Sequence, residues 1–206
     1  MYCCAMVRSK DPRIRSILIE RAAQMLADRE PVTLRALVKG TSVSTMAVYT
    51  YFDGLEGLWK ALRQEGFTRL SARLALVEET SDPIRDLSAL GSAYLLNGLE
   101  SPDLYRVMFD ATFDLEDPVA ADAGLQHLVG AASRARDQGR IRSDVDPLDL
   151  ATQTWIVGHG LVSLVATGPL PDAVLGYGIP MLTALFVAAG DDPVRCRRSV
   201  KSGWSI

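Results

Sequence analysis

The stretch TLRALVKGTSVSTMAVYTYF, residues 33–52, decides the fold of this chain. Leu34, Leu37 and Val38 are spaced to bury one face of a short helix. A polar turn then interrupts the pattern, and Ser44 is the residue type that caps a following helix by accepting hydrogen bonds from its free N–H groups. A second short helix ends in aromatic residues. This layout predicts a helix-turn-helix, a unit that places its second helix in the major groove of DNA.

The charge of the chain is distributed unevenly. Its 206 residues carry a net charge of −3. Residues 1–52 contain eight Lys or Arg and four Asp or Glu, an excess of four positive charges. The remainder contains 14 Lys or Arg and 21 Asp or Glu, an excess of seven negative charges. A basic head on an acidic body is typical of a DNA-binding domain attached to a regulatory domain.

The composition excludes several classes of protein. Hydrophobic residues make up 48% and charged residues 23% of the chain, a balance that excludes wholesale disorder. No apolar run reaches the roughly 18 residues of a membrane span, and no secretory signal is expected at the N-terminus. Cys3, Cys4 and Cys196 make an odd count that gives no disulfide framework and favours a reducing cytoplasm. For the adjacent pair an inert tail is the main interpretation, and oxidant sensing is the alternative.

Prolines preceded by a capping side chain divide the chain into helices. Proline is well tolerated at the first helical position, where its missing N–H would be unpaired in any case. Five such dipeptides precede helix-like patterns, and a sixth, Asp192-Pro193, precedes only a short basic segment. Because strand-like alternation is scarce, we predict an all-α fold of about nine helices. Besides the two helices of the motif, they span 12–29, 53–79, 83–99, 102–111, 119–138, 147–166 and 173–189.

Two of these helices have predicted details. Asp53 and Glu56 form a possible capping box at the start of the fourth helix, and Pro180 is expected to kink the ninth. The domain boundaries follow from the helices. We predict a flexible arm at 1–11, a three-helix helix-turn-helix domain at 12–58, a helical effector-binding and dimerisation domain at 59–190, and a tail at 191–206.

The first four helices resemble the DNA-binding domain of the tetracycline-repressor (TetR) family of bacterial transcription regulators. The residues that carry the resemblance are Thr33-Leu34, Val43-Ser44, Ala47-Val48-Tyr49, Tyr51-Phe52 and Glu56-x-Leu58. The chain departs from the family pattern at Ser42, where glycine is usual, at Leu55, where lysine is usual, and at Lys39-Gly40. Ser42 is therefore expected to adopt a backbone conformation that glycine adopts more easily.

The body resembles a second element of the same family. The segment from Trp155 through His159 and Gly160 is similar to the Trp-His-Gly subfamily of C-terminal domains, and Tyr105-Arg-Val-Met-Phe109 fits that subfamily's sixth helix. The resemblance implies a homodimer through helices eight and nine, a double-stranded DNA operator and a small-molecule effector.

The candidate DNA-binding residues lie in and around the motif. Thr45, Met46 and Thr50 are the candidates for base contacts. Alternatively, one or two of them face only phosphate, or the Met46 side chain has a packing role. The phosphate candidates are Thr33, Arg35, Ser44, Tyr49, Tyr51 and Lys60. Tyr49 is equally consistent with a half-buried core residue. Arg8, Lys10 and Arg13 form either an arm toward the duplex or a solvated tail.

The candidate ligand-binding residues are aromatic side chains and a few polar ones from the body. They are Tyr94, Tyr105, Met108, Phe109, Phe113, His127, Trp155, His159 and Tyr177. Ordinary core packing is a strong alternative for residues of these types at helical spacing. Two placements of Trp155 and His159, which share one face of helix eight, stay open: the ligand pocket or the dimer interface.

These features together predict a DNA-binding transcriptional regulator, with repression as the family's commonest mode, that a small, largely apolar ligand releases from DNA. A helical ligand-binding module that has lost specific DNA binding is the alternative. The sequence offers no nucleophile motif, phosphate loop or metal-spaced cluster, so we expect no enzyme, no cofactor and no metal.

Overall fold

A computed structural model describes residues 11–166 and 168–206, which form ten α-helices, one short 3₁₀ helix and no strand. The α-helices are α1 (Pro12–Ala27), α2 (Leu34–Val38), α3 (Thr45–Phe52), α4 (Leu55–Leu74), α5 (Pro83–Glu100), α6 (Pro102–Met108), α7 (Val119–Asp137), α8 (Pro147–Ala166), α9 (Gly178–Ala188) and α10 (Pro193–Gly203). The 3₁₀ helix spans Asp172–Tyr177. The all-α prediction is confirmed.

The first three helices and the start of α4 form a head with its own core. Leu18, Leu37, Val48 and Leu58 are fully buried in it. Leu104 of α6 belongs to the same core, so α6 packs against the head. Since α4 continues from this core into the next one, it joins the head to the rest of the chain.

The remaining helices form a body around α5. This helix packs against α7, α8 and α10, and the shared core contains the fully buried Leu87, Leu95 and Phe186. No helix within the described ranges has both the length and the apolar character of a membrane span. Head and body thus have separate cores, and the body is large enough to enclose a cavity.

Most of the predicted caps at prolines are present. Asp11, Asp82 and Asp192 each accept hydrogen bonds from backbone N–H groups at the start of the following helix. The carboxylates of Asp117 and Asp146 accept from N–H groups two residues on. These local bonds explain why helix starts were more predictable than helix ends.

The segment 191–206 is not a tail, because residues 193–203 form α10. The Asp192 carboxylate caps this helix at distances of 3.1 Å from the Val194 nitrogen and 2.8 Å from the Arg195 nitrogen. Cys196 and Val200 are fully buried against the body. The sequence pattern did not predict this helix, because its few apolar residues are separated by many charged ones.

The predicted ninth helix is two elements. The 3₁₀ helix ends at Tyr177, and α9 begins at Gly178. Pro180 lies in the first turn of α9, where a missing N–H removes no helical hydrogen bond. The expected kink at Pro180 is therefore wrong.

The corner between α3 and α4 also differs from the prediction. Asp53 ends α3 in the left-handed conformation with φ +58°, and Gly54 follows with φ +107°. Because Asp53 caps the end of α3, it does not form the predicted capping box with Glu56, which instead pairs with Lys60 at 3.1 Å. Helix α4 ends at Leu74, five residues before the predicted end at Glu79.

The turn inside the motif uses a different glycine from the one expected. Gly40 has φ +78°, whereas Ser42 has no positive φ. The Thr41 hydroxyl fixes this turn by donating to the Val38 carbonyl at 2.8 Å and accepting from the Val43 N–H at 3.1 Å. The expected strain at Ser42 is thus absent, because Gly40 supplies the left-handed residue two positions earlier.

A buried ion-pair network joins α5, the end of α7 and α10. Arg140 is 2% exposed and donates two hydrogen bonds of 2.8 Å to the Asp191 carboxylate. It also donates to Asp82 at 2.6 Å, and Ser199 donates to the other Asp82 oxygen at 2.6 Å. Burial alone would raise the pKa of Asp82, but the hydrogen bonds from Ser199 and Arg140 hold it below its ordinary value. This network fixes one end of the body.

Candidate functional site

One face of α3 is solvent-exposed and carries the base-contact candidates. Met46 is 67% and Tyr49 is 50% exposed, and Thr50 is exposed beside them, while Thr45 is half-buried. The opposite face of α3 is buried in the head core. A short helix held on one side with polar and apolar side chains free on the other has the geometry of a groove-binding helix.

The other DNA-binding candidates lie around this face and differ in their exposure and hydrogen bonding. Thr33 and Arg35 are exposed at the start of α2, where the Thr33 hydroxyl accepts from the Ala36 N–H at 3.2 Å. Ser44 is exposed at the N-cap position of α3, but its hydroxyl makes no cap hydrogen bond, contrary to expectation. Tyr51 is half-buried against the head core.

Lys60 is engaged with carboxylates. Its ammonium lies 3.1 Å from Glu56 and 3.9 Å from Asp114. A lysine in ion pairs must leave its carboxylate partners before it contacts a phosphate, so Lys60 is the weakest member of the predicted phosphate set.

Several cations of the head have no carboxylate partner. Within the described residues, Arg13, Arg29, Arg35 and Lys39 make no ion pair within 4 Å. Arg8, Lys10, Cys3 and Cys4 lie outside the described residues. Unpaired exposed cations on a head with an exposed recognition face favour contact with a polyanion.

The segment between α6 and α7 connects the head with the body. Glu116 forms an ion pair with Arg15 of α1. Phe113 stacks on Trp59 of α4 with ring centroids 5.9 Å apart. Phe113 therefore lies at the contact with α4 and not in the ligand cavity where the sequence placed it.

The body encloses a cavity of about 260 Å³ between α4, α5, α7 and α8. Its walls are mostly apolar. Among the predicted ligand residues, Tyr94, Phe109 and Trp155 line it. Tyr105 and His159 lie directly behind this wall, since both rings contact Phe109, with centroid distances of 4.9 Å and 4.5 Å. Trp155 and His159 thus belong to the inner side of α8.

Three other predicted ligand residues are placed elsewhere. Met108 is buried behind the cavity, where its side chain occupies the space that a Cβ at Gly66 would need. His127 lines a separate shallow depression near Arg134. Tyr177 is 62% exposed on the 3₁₀ helix. Aromatic character alone could not distinguish these positions from cavity positions.

Tyr94, Tyr105 and His159 form a hydrogen-bonded cluster at one end of the cavity. The two hydroxyl oxygens are 2.9 Å apart, and they lie 3.1 Å and 2.6 Å from the His159 Nδ1. Burial raises the pKa of Tyr94 and raises that of Tyr105 to about 12. Burial also lowers the pKa of His159. The cluster is therefore neutral at physiological pH.

Replacing Tyr105 with phenylalanine is expected to lower the free energy of unfolding by about 1–2 kcal/mol. The change removes the 2.6 Å hydrogen bond to His159 and the 2.9 Å hydrogen bond to Tyr94, and leaves both groups with fewer partners. Urea unfolding measures the loss. The matched control is Tyr177→Phe on the exposed 3₁₀ helix, which should stay within about 0.5 kcal/mol of wild type. Equal effects of the two changes would contradict the role of the cluster.

Most residues of the cavity wall are not among the predicted ligand residues. Missed wall residues include Arg63, Phe67, Leu70, Leu90, Leu125 and Leu128. Aliphatic residues at helical spacing give the same pattern whether they face a core or a cavity. Arg63 also carried no distinct signal, because α4 contains other charged residues such as Lys60 and Arg69.

Comparisons with known proteins agree with this architecture. Residues 87–177 match a family model described as the tetracyclin repressor-like C-terminal domain. No curated protein matches the chain by sequence.

Solved structures are similar over nearly the whole chain. A protein of unknown function from Rhodococcus sp. RHA1 is 24% identical with a TM-score of 0.67, over 94% of this chain and 97% of the other. RolR in complex with resorcinol is 16% identical with a TM-score of 0.65, over 95% and 96%. AibR in complex with isovaleryl coenzyme A and operator DNA is 24% identical with a TM-score of 0.59, over 84% and 98%. At these identities the similarity shows the fold.

Proposed function

Because residues 87–177 belong to the tetracyclin repressor-like C-terminal domain family, we propose that this protein is a DNA-binding transcriptional regulator that responds to a small ligand. We further propose that it is a repressor, that it acts in the cytoplasm and that it is not an enzyme. The observation that carries the proposal is the exposed face of α3, on a head whose core is separate from the cavity-bearing body.

DNA binding is assigned to the outer face of α3 and the residues beside it. The bases are contacted by Thr45, Met46 and Thr50. The phosphates are contacted by Thr33, Arg35, Ser44, Tyr49 and Tyr51. Lys60 also contacts a phosphate once it has left its ion pairs. The unpaired cations of the head supply the sequence-independent attraction to the duplex. The operator is palindromic, because two copies of the head related by two-fold symmetry read two half-sites.

Ligand release follows from the position of α4. This helix contributes to the head core through Leu58 and lines the cavity through Phe67 and Leu70. A ligand that favours a different tilt of α4 changes the spacing of the two heads and lowers their affinity for the operator. RolR and AibR were solved with small-molecule ligands, AibR also with operator DNA, which supports this proposal for the shared fold.

The dimer interface is assigned to the outer face of α8 and α9. Ile156 is 60%, Leu164 43% and Met181 44% exposed there, and large exposed apolar side chains on neighbouring helices are typical of an interface. A Cβ at Gly160 would meet no atom within 4 Å, which leaves room for a close approach of another helix.

Replacing Ile156 with glutamate is expected to convert the dimer to a monomer and to weaken operator binding. A carboxylate in the centre of an apolar interface loses its hydration without gaining a partner. Analytical ultracentrifugation measures the mass. The control is Leu76→Glu, since Leu76 is 86% exposed outside this face, and it should sediment as wild type. A monomeric wild type, or a dimeric Ile156→Glu variant, would contradict the assignment of α8 to the dimer interface.

A gel shift with the DNA upstream of the protein's own gene, over a series of salt concentrations, tests the proposed function. We expect specific binding that weakens steeply with salt. Thr50→Ala should weaken specific binding by about 1–3 kcal/mol. Thr68→Ala is the matched control, because Thr68 donates to the Gln64 carbonyl on α4 just as Thr50 donates to the Met46 carbonyl on α3. Binding no stronger than to random DNA would refute the proposal.

The second candidate function is a helical ligand-binding module without specific DNA binding. Two observations favour it. Lys60 is held by Glu56 and Asp114, and Leu55 stands where a lysine is usual in the family. The same gel shift decides between the two functions.

A further inference from the structure

Arg63 is a half-buried arginine on the cavity wall that forms no ion pair with a carboxylate of the described residues. Its Nε donates to the Met108 carbonyl at 3.0 Å, and its Nη1 donates to the Phe113 carbonyl. Both acceptors are neutral backbone oxygens. Within the described residues, no carboxylate lies within 4 Å of its guanidinium, and no hydrogen bond is made by its Nη2. The guanidinium therefore keeps donors and a full positive charge.

The other arginines of α4 differ from Arg63. Arg69 pairs with Glu65 at 2.8 Å and with Glu20 at 2.6 Å. Arg73 pairs with Glu100. The two arginines of α4 that do not line the cavity thus have carboxylate partners, from α1, α4 and α5, whereas Arg63 has none among the described residues.

The remaining polar groups of the cavity are already engaged or exposed. The Thr154 hydroxyl donates to the Leu150 carbonyl at 2.8 Å, and the Tyr94 hydroxyl belongs to the cluster with His159. Asp122 is exposed at the edge of the cavity. Asp110 is half-buried and interacts electrostatically with Arg63, but forms no ion pair with it within 4 Å. Arg63 is therefore the group on the wall that offers free hydrogen-bond donors.

The cavity volume limits the size of what Arg63 can bind. About 260 Å³ corresponds to roughly nine water molecules at ~30 Å³ each, and so to a ligand of roughly ten to twelve non-hydrogen atoms. The rest of the lining is mostly apolar and aromatic, and includes Phe67, Phe109 and Trp155. Such a site fits a small molecule with an apolar body and one charged end.

We propose that the effector is a small organic acid whose carboxylate binds Arg63 and whose apolar body fills the cavity. This inference rests on the proposed function, because it identifies the chemical class of the ligand in that same cavity. A planar carboxylate matches the fork of a guanidinium and accepts hydrogen bonds from Nη1 and Nη2.

The bonds that Arg63 already makes connect this ligand to the DNA-binding head. Its Nη1 holds the Phe113 carbonyl, Phe113 stacks on Trp59, and Glu116 of the same segment pairs with Arg15 of α1. A carboxylate that accepts from Nη1 in place of the Phe113 carbonyl releases the segment between α6 and α7 from α4. The ligand thereby weakens a contact between head and body at the point where α4 joins them.

Calorimetric titration of the full chain with paired probes tests the proposal. The probes are 3-phenylpropionate and octanoate, each with its neutral amide. We expect each acid to bind tenfold or more tightly than its amide, because charge-assisted hydrogen bonds are roughly twice as strong as neutral ones. Arg63→Met should remove this preference, while Arg69→Met, the same change at an ion-paired arginine of α4, should retain it. Asp122→Asn should strengthen binding of the acids.

Acids that bind no more tightly than their amides, or acids without measurable binding at about 10 mM, would overturn the proposal. Retained amide binding shows that the cavity of Arg63→Met is intact. If that variant does not fold, as judged by circular dichroism, Arg63→Lys replaces it and should reduce the preference while keeping some of it. The gel shift separates the two proposals: specific DNA binding without acid preference rejects only this inference, whereas acid preference without DNA binding rejects only the regulator.

Discussion

Replacing Arg140 with methionine is expected to lower the free energy of unfolding by about 3–5 kcal/mol. The change leaves Asp191, which is 5% exposed, and Asp82 close together without their shared cation. The buried Asp191 then keeps its desolvation cost, and it and the half-buried Asp82 repel each other. Urea unfolding measures the loss. The control is Arg106→Met, because Arg106 forms an exposed pair with Asp103, and its loss should cost less than about 1 kcal/mol.

The same network has a defined pH dependence. The pKa of Asp82 is lowered in the folded state, against the effect of burial, by hydrogen bonds from Ser199 and Arg140. Its contribution to stability is therefore present above the ordinary pKa of about 3.9 and is lost as the pH falls through the lowered value. In Arg140→Met the unfolding free energy should depend less steeply on pH between about 5 and 3. An unchanged slope, or a loss no larger than that of Arg106→Met, would contradict the account.

Replacing Gly57 with alanine is expected to weaken specific DNA binding at least tenfold. A Cβ at this position would lie 1.6 Å from the Phe52 carbonyl oxygen. That oxygen belongs to the backbone at the end of α3, so the clash can be relieved only by moving α3 relative to α4. A displaced recognition helix loses base contacts worth about 1–3 kcal/mol each. Fluorescence anisotropy with labelled operator DNA measures the change.

Gly130→Ala is the control for this experiment. Gly130 also lies within a helix, but a Cβ there would meet no atom within 4 Å. Alanine at such a site should raise the stability by about 0.5–1 kcal/mol and leave DNA binding unchanged. If Gly57→Ala behaves like Gly130→Ala, the contact between α3 and α4 does not position the recognition helix.

The sequence was informative where local rules determine structure. Asp-Pro dipeptides and helical spacing predicted most helix starts, because a cap and the helix that it begins are neighbours in the chain. The prediction failed where tertiary packing decides. The helix α10 was missed because its buried face has only Cys196 and Val200 as apolar residues and includes Ser199, whose partners Asp82 and Arg140 are distant in sequence.

The candidate site likewise has one part that local sequence predicts and one part that depends on tertiary packing. The exposed face of α3 is set by a short local pattern. The cavity, in contrast, is the space left between four helices, and no local pattern distinguishes Leu125 at its wall from Leu87 in the core. Phe113, His127 and Tyr177 were placed there on residue type alone, and the structure does not bring them to the cavity.

Footprinting of the DNA upstream of the protein's own gene tests the central claim most directly. With the full-length chain we expect a protected stretch with two-fold symmetry and half-sites separated by one or more helical turns of roughly 34–36 Å. Thr50→Ala should weaken this protection and Thr68→Ala should leave it intact. No protection beyond that of random DNA, with a folded protein that still binds small ligands, would contradict the claim and establish the ligand-binding module instead.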